Sequence, residues 1–244
     1  MNAKQTVLVI DDETATLTMF RLFLEAYGYA VLTAENGEAG LQLVHDRHPG
    51  IVFTDLKMPG MDGFDVLKQI KKISPQTEVI VITGHGDMDH VIRALNLEAT
   101  DFINKPIGRN ALDAALTRAE ARLDTDIEKT PPIGVEMTAG MGVISIHGTL
   151  CGHHKALLMT SLERVLGDGP AGVVVHFADH AAVNGAGIEL LTRLLSMAQA
   201  AGTPVRIAGL SENFRTIFDM LGITRVAPCI DAIADASFGD DTMA

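Results

Sequence analysis

Asp11 and Asp12 stand side by side after a short apolar run, Val7-Leu8-Val9-Ile10, and Asp55 closes another, Ile51-Val52-Phe53-Thr54. Thr83 ends a third such run and Lys105 follows a fourth. Three carboxylates drawn together repel one another, so a cluster of this kind normally calls for a divalent cation. Ligation by a few oxygens with retained waters suits Mg²⁺ best. A hydroxyl and a fixed ammonium beside that charge could neutralise a transferring phosphoryl group. The carboxylate left unsatisfied would be the nucleophile and would form an acyl phosphate. Helix capping and loop solvation could account for the aspartates alone, but not also for Thr83 and the Lys105-Pro106 pair.

The elements that must position these residues follow from hydrophobic periodicity. Short β-branched runs at 7–10, 30–33, 51–54, 79–83 and 102–104 alternate with amphipathic stretches at 14–27, 37–46, 63–73, 88–97 and 109–123. Five strands alternating with five helices predict an α/β unit whose parallel sheet is covered on both faces. Functional groups of such sheets gather just beyond the carboxyl ends of the strands. Asp11, Asp12, Asp55, Thr83 and Lys105 all fall there.

The 244 residues allow two small domains. With 47% hydrophobic and 20% charged residues, the chain has ample material for buried cores. The formal charge of -12 divides into -6 through Asp124 and -6 beyond it. Neither part carries the basic footprint of a phosphate-backbone binder, so nucleic-acid contact is not expected. The two cysteines, Cys151 and Cys229, point to a reducing compartment rather than a disulfide framework. The N-terminus lacks the pattern of a signal peptide, and no apolar run approaches the ~20 residues that span a bilayer. A cytoplasmic protein without membrane contact is the expectation.

Periodicity stops at residue 124. Asp124-Thr125-Asp126-Ile127-Glu128-Lys129-Thr130-Pro131-Pro132 is polar and closed by two prolines, which favour an extended spacer. This divides the chain into a domain at 1–124, a linker at 125–132 and a second domain at 133–240. The second domain reads as strands 134–137 and 143–147 about a hairpin turn at 139–142, then helix 153–166, strand 173–177 and helix 186–200. Strand 205–208 and helices 212–221, with Ser211 as N-cap, and 230–236 complete it. No catalytic set assembles there. Gly185-Ala186-Gly187 is a fragment of a dinucleotide fingerprint without its third glycine. His147, His153, His154, His176 and His180 form no strong metal spacing, and His153 and His154 should point in different directions. Met137, Met141 and Met159 read as core filler.

The first domain closely resembles the receiver domain of two-component response regulators. The matching residues are Asp11-Asp12, Asp55 within Thr54-Asp55-Leu56-Lys57-Met58-Pro59-Gly60, Thr83-Gly84-His85-Gly86, and Lys105-Pro106. The resemblance covers residues 4–123 and implies a flavodoxin-like, doubly wound fold. It implies that Asp55 accepts phosphate from a histidine kinase. Asp12, Asp55 and the backbone carbonyl of Lys57 would hold Mg²⁺, with Asp11 acting through water. Thr83 and Lys105 would contact the phosphoryl oxygens, and Phe102 matches the aromatic switch position. Glu98-Ala99 stands where the family often has Gly-Ala, and the Lys57 side chain could alter the lifetime of the phosphate.

The second domain resembles the STAS domain of anti-sigma-factor antagonists, a smaller α/β fold with a mixed sheet. The resemblance rests on Val143–Leu150, Val173–Phe177, Val183–Leu191, Leu210–Phe218 and Leu221-Gly222-Ile223. The family carries a phosphorylatable Ser or Thr just before the glycine matched by Gly187; here that position is Ala186, and no Ser or Thr occurs between Ser161 and Thr192. The serine switch is therefore expected to be absent and the regulatory phosphate to have moved to Asp55, a degenerate domain kept for packing being the alternative. The implied partners are a histidine kinase and an anti-sigma factor or serine-kinase-type switch protein, with a homodimer left open. A scaffold role in a STAS-based assembly fits the same reading. A DNA-binding regulator and a second-domain enzyme fit it less well, and no turnover of a separate substrate is expected beyond the chain's own phosphorylation. Exposed polar linkers are preferred sites of nicking. Limited proteolysis should therefore leave a stable fragment of about residues 1–125, and cleavage within 133–236 instead would place the boundary elsewhere.

Overall fold

The computed structural model describes residues 5–84, 88–123, 131–179 and 181–238. The linker residues 124–130, His85, Gly86 and His180 lie outside them. The chain divides into two compact units, Met1–Thr125 and Asp126–Ala244.

The first unit alternates strands β1 Thr6–Ile10, β2 Ala30–Ala34, β3 Ile51–Asp55, β4 Glu78–Thr83 and β5 Asp101–Asn104 with helices. These are α1 Thr14–Ala26, α2 Gly37–Arg47, α3 Gly63–Ile73, α4 Met88–Asn96 and α5 Arg109–Leu123. The strands form one parallel sheet in the order β2-β1-β3-β4-β5. The order reverses at β1, which leaves a crevice beyond the ends of β1 and β3. Strands β3 and β4 are buried along their whole length, as sheets covered on both faces require. One face packs Val7, Val9, Phe53, Ile80, Ile82 and Ile103 against Phe20 and Leu24 of α1 and Leu112 and Leu116 of α5. Each of these larger side chains contributes roughly 1.5–3 kcal/mol by its burial.

The helices start where short polar side chains replace missing backbone partners. Asn36 Oδ1 accepts from Ala39 N at 2.9 Å, and Asp62 Oδ1 accepts from Asp65 N at 2.9 Å. Helix α5 is tied to the amino ends of β4 and β5 by ion pairs, Arg118 with the buried Asp101 and Arg122 Nε with Glu78 Oε2 at 2.8 Å.

The second unit contains β6 Ile133–Thr138, β7 Met141–Ile146, β8 Thr149–Leu150, α6 Lys155–Gly167, β9 Val173–Phe177 and β10 Ala182–Val183. It continues with α7 Gly185–Ala200, β11 Val205–Ala208, α8 Glu212–Met220, α9 Ile223–Val226 and β12 Cys229–Ile230. Its main sheet runs β12-β11-β9-β7-β6 and is mixed, because only β6 pairs antiparallel. The short β8 and β10 form a separate parallel ribbon.

Three sequence expectations are corrected here. The β6–β7 turn is only Ala139-Gly140, with φ of 51° and 77°, the signature of a type I′ turn, so Met141 and Gly142 join the strand. The expected helix at 230–236 is instead strand β12 followed by a 3₁₀ turn, Ile233–Asp235. Pairing with β11 and burial of Ile230, Ile233, Ala236 and Phe238 over Val143, Val174 and Ala208 outweigh a weak local preference. Met137 is not core filler: it is 42% exposed on the edge strand β6.

Gly63 opens α3 directly beneath the end of β3. A Cβ there would collide with the Asp55 carbonyl oxygen and Leu56 Cα, both of which are backbone. Gly63→Ala should destabilise the first unit by about 1–3 kcal/mol, as overpacking generally does. Urea unfolding followed by circular dichroism checks this, and an unchanged midpoint would show that the loop yields freely.

Candidate functional site

Strand ends deliver the acidic residues to one place. Asp11 follows β1, and its N–H donates to Ala34 O, which fixes the chain beside β2. Asp11 is fully buried and Asp55, the last residue of β3, is nearly so, whereas Asp12 is exposed. Ligand oxygens of Asp11, Asp12 and Asp55 lie within 4.8 Å of one another. Asp11 Oδ1 accepts from Glu13 N at 2.8 Å, and Asp55 Oδ1 accepts from Lys57 N at 3.0 Å.

Lys105 closes the cluster from β5. Its N–H donates to Thr83 O at 2.8 Å, and the Lys105-Pro106 peptide is cis. Its Nζ donates to Asp55 Oδ2 at 2.5 Å. Nζ also lies 3.1 Å from Asp11 Oδ2, close enough for ion pairing but without hydrogen-bond geometry. Burial alone would lower the pKa of this ammonium; the bond to Asp55, the charge of Asp55 and then the nearby Asp11 carboxylate outweigh that and hold it well above its ordinary value. Lys105 is therefore a permanent positive charge at any physiological pH.

Thr83 is buried at the end of β4, opposite Asn104 in the β5 register. Phe102 is fully buried, paired in register with Val81, so its ring belongs to the core below the cluster rather than to the cluster itself. The sequence reading missed Glu13, whose Oε2 lies 3.6 Å from Lys105 Nζ. The signal was present as a third consecutive acidic residue, Asp11-Asp12-Glu13.

Asp11 Oδ2 is buried without a hydrogen-bond partner, and burial pushes the Asp11 pKa up despite the neighbouring ammonium. An orphaned buried oxygen beside two further carboxylates is a donor set that fits a hard divalent cation. In the second unit, Ala186 lies in the first turn of α7 and is partly buried. Asn184 caps that helix, its Oδ1 accepting from Gly187 N at 2.9 Å.

Comparison with known proteins accords with this division. The response regulator receiver domain model matches residues 7–117 and the STAS domain model matches residues 132–236. The chain is similar to a probable transcriptional regulator ycf27 of Galdieria sulphuraria, 35% identical over 51% of this chain and 48% of that protein. It is also similar to the transcriptional regulatory protein ZraR of Klebsiella oxytoca, 33% identical over 51% of this chain and 28% of that protein. The chain thus spans about half or less of these curated relatives. A response regulator receiver domain protein from Clostridium thermocellum is 35% identical over 52% of this chain and all of that one, with a TM-score of 0.47. Among the described residues, no helix is long and apolar enough to cross a membrane.

The buried carboxyl of Asp11 gives a test of the cation site. A carboxyl with a raised folded-state pKa holds its proton more tightly folded than unfolded, so its ionisation towards neutral pH takes stability away. At pH 7 in EDTA, Asp11→Asn should raise the unfolding temperature of the first unit by roughly 2–4 °C, equivalent to about 1 kcal/mol. The gain should shrink as pH falls through the raised folded-state pKa of Asp11 and vanish only below the ordinary carboxylate value. Excess Mg²⁺ should stabilise wild type more than the variant. Calorimetry of the full chain decides it, and a variant less stable than wild type in EDTA would show the ion pair with Lys105 to dominate.

Proposed function

The chain joins a response regulator receiver domain to a STAS domain, and from that premise we propose that Asp55 accepts a phosphoryl group from a histidine kinase and that the STAS domain carries the output by binding protein. The observation that carries this reading is the position of Lys105 Nζ between Asp55 Oδ2 and Asp11 Oδ2, with Asp12 exposed on the open side. A buried nucleophile held by a fixed ammonium, beside carboxylates suited to a cation, is the arrangement phosphoryl transfer requires.

In this reading an Asp55 carboxylate oxygen attacks the phosphorus of a phosphohistidine. The P–O bond forms as the P–N bond breaks, and the imidazole leaves. Asp12 and Asp55 would hold Mg²⁺, with Asp11 acting through water, and the family resemblance adds the backbone carbonyl of Lys57. Once bound, Mg²⁺ neutralises charge on the phosphoryl oxygens. Lys105 exchanges its bond to Asp55 for one to the phosphoryl group, Thr83 offers its hydroxyl, and Phe102 is the aromatic that reports the change. The donor protein has a surface to dock on: Thr14, Ala15, Thr18, Met19, Leu22 and Phe23 line an apolar groove on α1, which begins three residues after Asp11. Leu22 is 66% exposed there.

Ala186 has no hydroxyl to phosphorylate, so regulation by phosphate rests with Asp55. The STAS partner is an anti-sigma factor or serine-kinase-type switch protein, and the chain acts in the cytoplasm without nucleic-acid contact or separate substrate turnover. A 10-fold change in partner affinity needs only about 1.4 kcal/mol of difference between the two receiver states.

Acetyl phosphate with Mg²⁺ should label the wild-type chain and leave Asp55→Ala unlabelled, and EDTA should abolish the label. Affinity for the STAS partner should then differ ~10-fold between phosphorylated and unphosphorylated wild type and stay constant in Asp55→Ala. Label surviving in Asp55→Ala overturns the phosphoacceptor assignment. Equal partner affinities overturn the relocated switch.

A further inference from the structure

Strand β6 ends the main sheet of the second unit, and among the described residues no strand pairs with its outer edge. Which of its backbone groups face that edge follows from β7. Gly142 N donates to Gly172 O and Ile146 O accepts from Ala178 N, so both residues turn their backbone groups towards β9 and away from β6. Their register partners on β6 are Met137 and Ile133. Pro132 O, by contrast, accepts from His147 N. Bonding alternates along an antiparallel ladder, so Gly134, Glu136 and Thr138 bond to β7, whereas Ile133, Val135 and Met137 point their N–H and C=O outward.

An edge of this kind is a template for another strand, and natural sheets guard it with proline, lysine or a bulge. The register with β7 runs unbroken from Ile133 to Thr138, and the segment holds neither proline nor lysine. Pro131, the next outward position, has no N–H to give, so added pairing stops at Ile133.

The segment complements itself. Antiparallel pairing with a second copy about Val135 sets Val135 against Val135 and Ile133 against Met137, and every outward group finds a partner. These apolar side chains share the face on which Gly142 abuts Val165 of α6. On the other face, Glu136 of each copy comes opposite Gly134 of the other. Gly134 leaves that place open: the nearest atom to a Cβ there is His147 Nε2, at 3.6 Å. A carboxylate laid over Gly134 thus meets an imidazole. Sliding one copy by two residues sets Glu136 directly opposite Glu136, which is unfavourable. The opposite slide sets Met137 against Pro131, which cannot donate.

We propose that β6 pairs edge to edge with β6 of a second copy, joining two STAS sheets about a two-fold axis at Val135. The contact is small, so the dimer is weak and depends on chain concentration. It needs no phosphate at Asp55 and stands apart from the phosphoacceptor assignment.

Light scattering of the full reduced chain in EDTA, without phosphodonor and up to millimolar concentration, tests this. Wild type should pass from the mass of one chain to that of two. Val135→Pro removes an N–H that β7 does not use, and should stay monomeric with an unchanged circular dichroism spectrum. Glu136→Lys and His147→Glu should each weaken the dimer about 10-fold, the loss of two symmetric cross-strand pairs. Combining them restores opposite charges and should recover wild-type association, a readout independent of how proline affects the hairpin. A wild type monomeric throughout, a dimer that persists in Val135→Pro, or no recovery in the double variant overturns the proposal.

Discussion

Two carboxylates, Asp11 and Asp55, are buried side by side at the ends of neighbouring parallel strands, and one ammonium, Lys105, faces both. Everything in the first unit serves to hold that arrangement. Buried like charges raise one another's cost, and a single counter-charge answers only part of it. The residue is visible in Asp11, whose Oδ2 has no hydrogen bond and whose carboxyl resists ionisation. A site left short of positive charge is poised to take it from a cation and to rearrange when a phosphoryl group arrives.

The price of this local imbalance is met by the rest of the sheet. Fully buried β3 and β4 and the aromatic pair Phe20–Phe53, with ring centroids 5.1 Å apart, fix the strand ends that carry the charges. At the opposite ends of β4 and β5, Arg118 and Arg122 fasten α5 to Asp101 and Glu78. Helix α5 and Lys105 thus share strand β5, so a shift of Lys105 bears on an element held at its other end by buried ion pairs. A packed sheet of this kind changes between discrete arrangements rather than bending smoothly.

The second unit keeps the architecture of a regulated helix start without the hydroxyl. Asn184 caps α7, and Gly187 admits the Leu150 carbonyl, which a Cβ would strike. That fit is retained at either side of Ala186, so the turn is built for close approach even though its own side chain carries no chemistry.

Periodicity alone placed the five strands and five helices of the first unit and put its acidic residues at the strand ends, because parallel sheets impose long apolar runs that local sequence cannot disguise. Spacing likewise identified Asp11, Asp12, Asp55, Thr83 and Lys105 as one constellation, and the absence of a hydroxyl at Ala186 needed no coordinates. Tertiary structure decided what depends on partners far away in the chain. The segment after Pro228 became a strand because β11 offered an open edge, and Phe102 took a core position set by its register with Val81. Met137 came out exposed because β6 lies at the sheet edge. The start of the helix expected from residue 153 became a 3₁₀ turn, Gly152–His154, with α6 beginning only at Lys155. Local sequence encodes which face a residue prefers; only packing fixes which charges and ligands end up in contact, because those contacts depend on register and turn geometry that no short window contains.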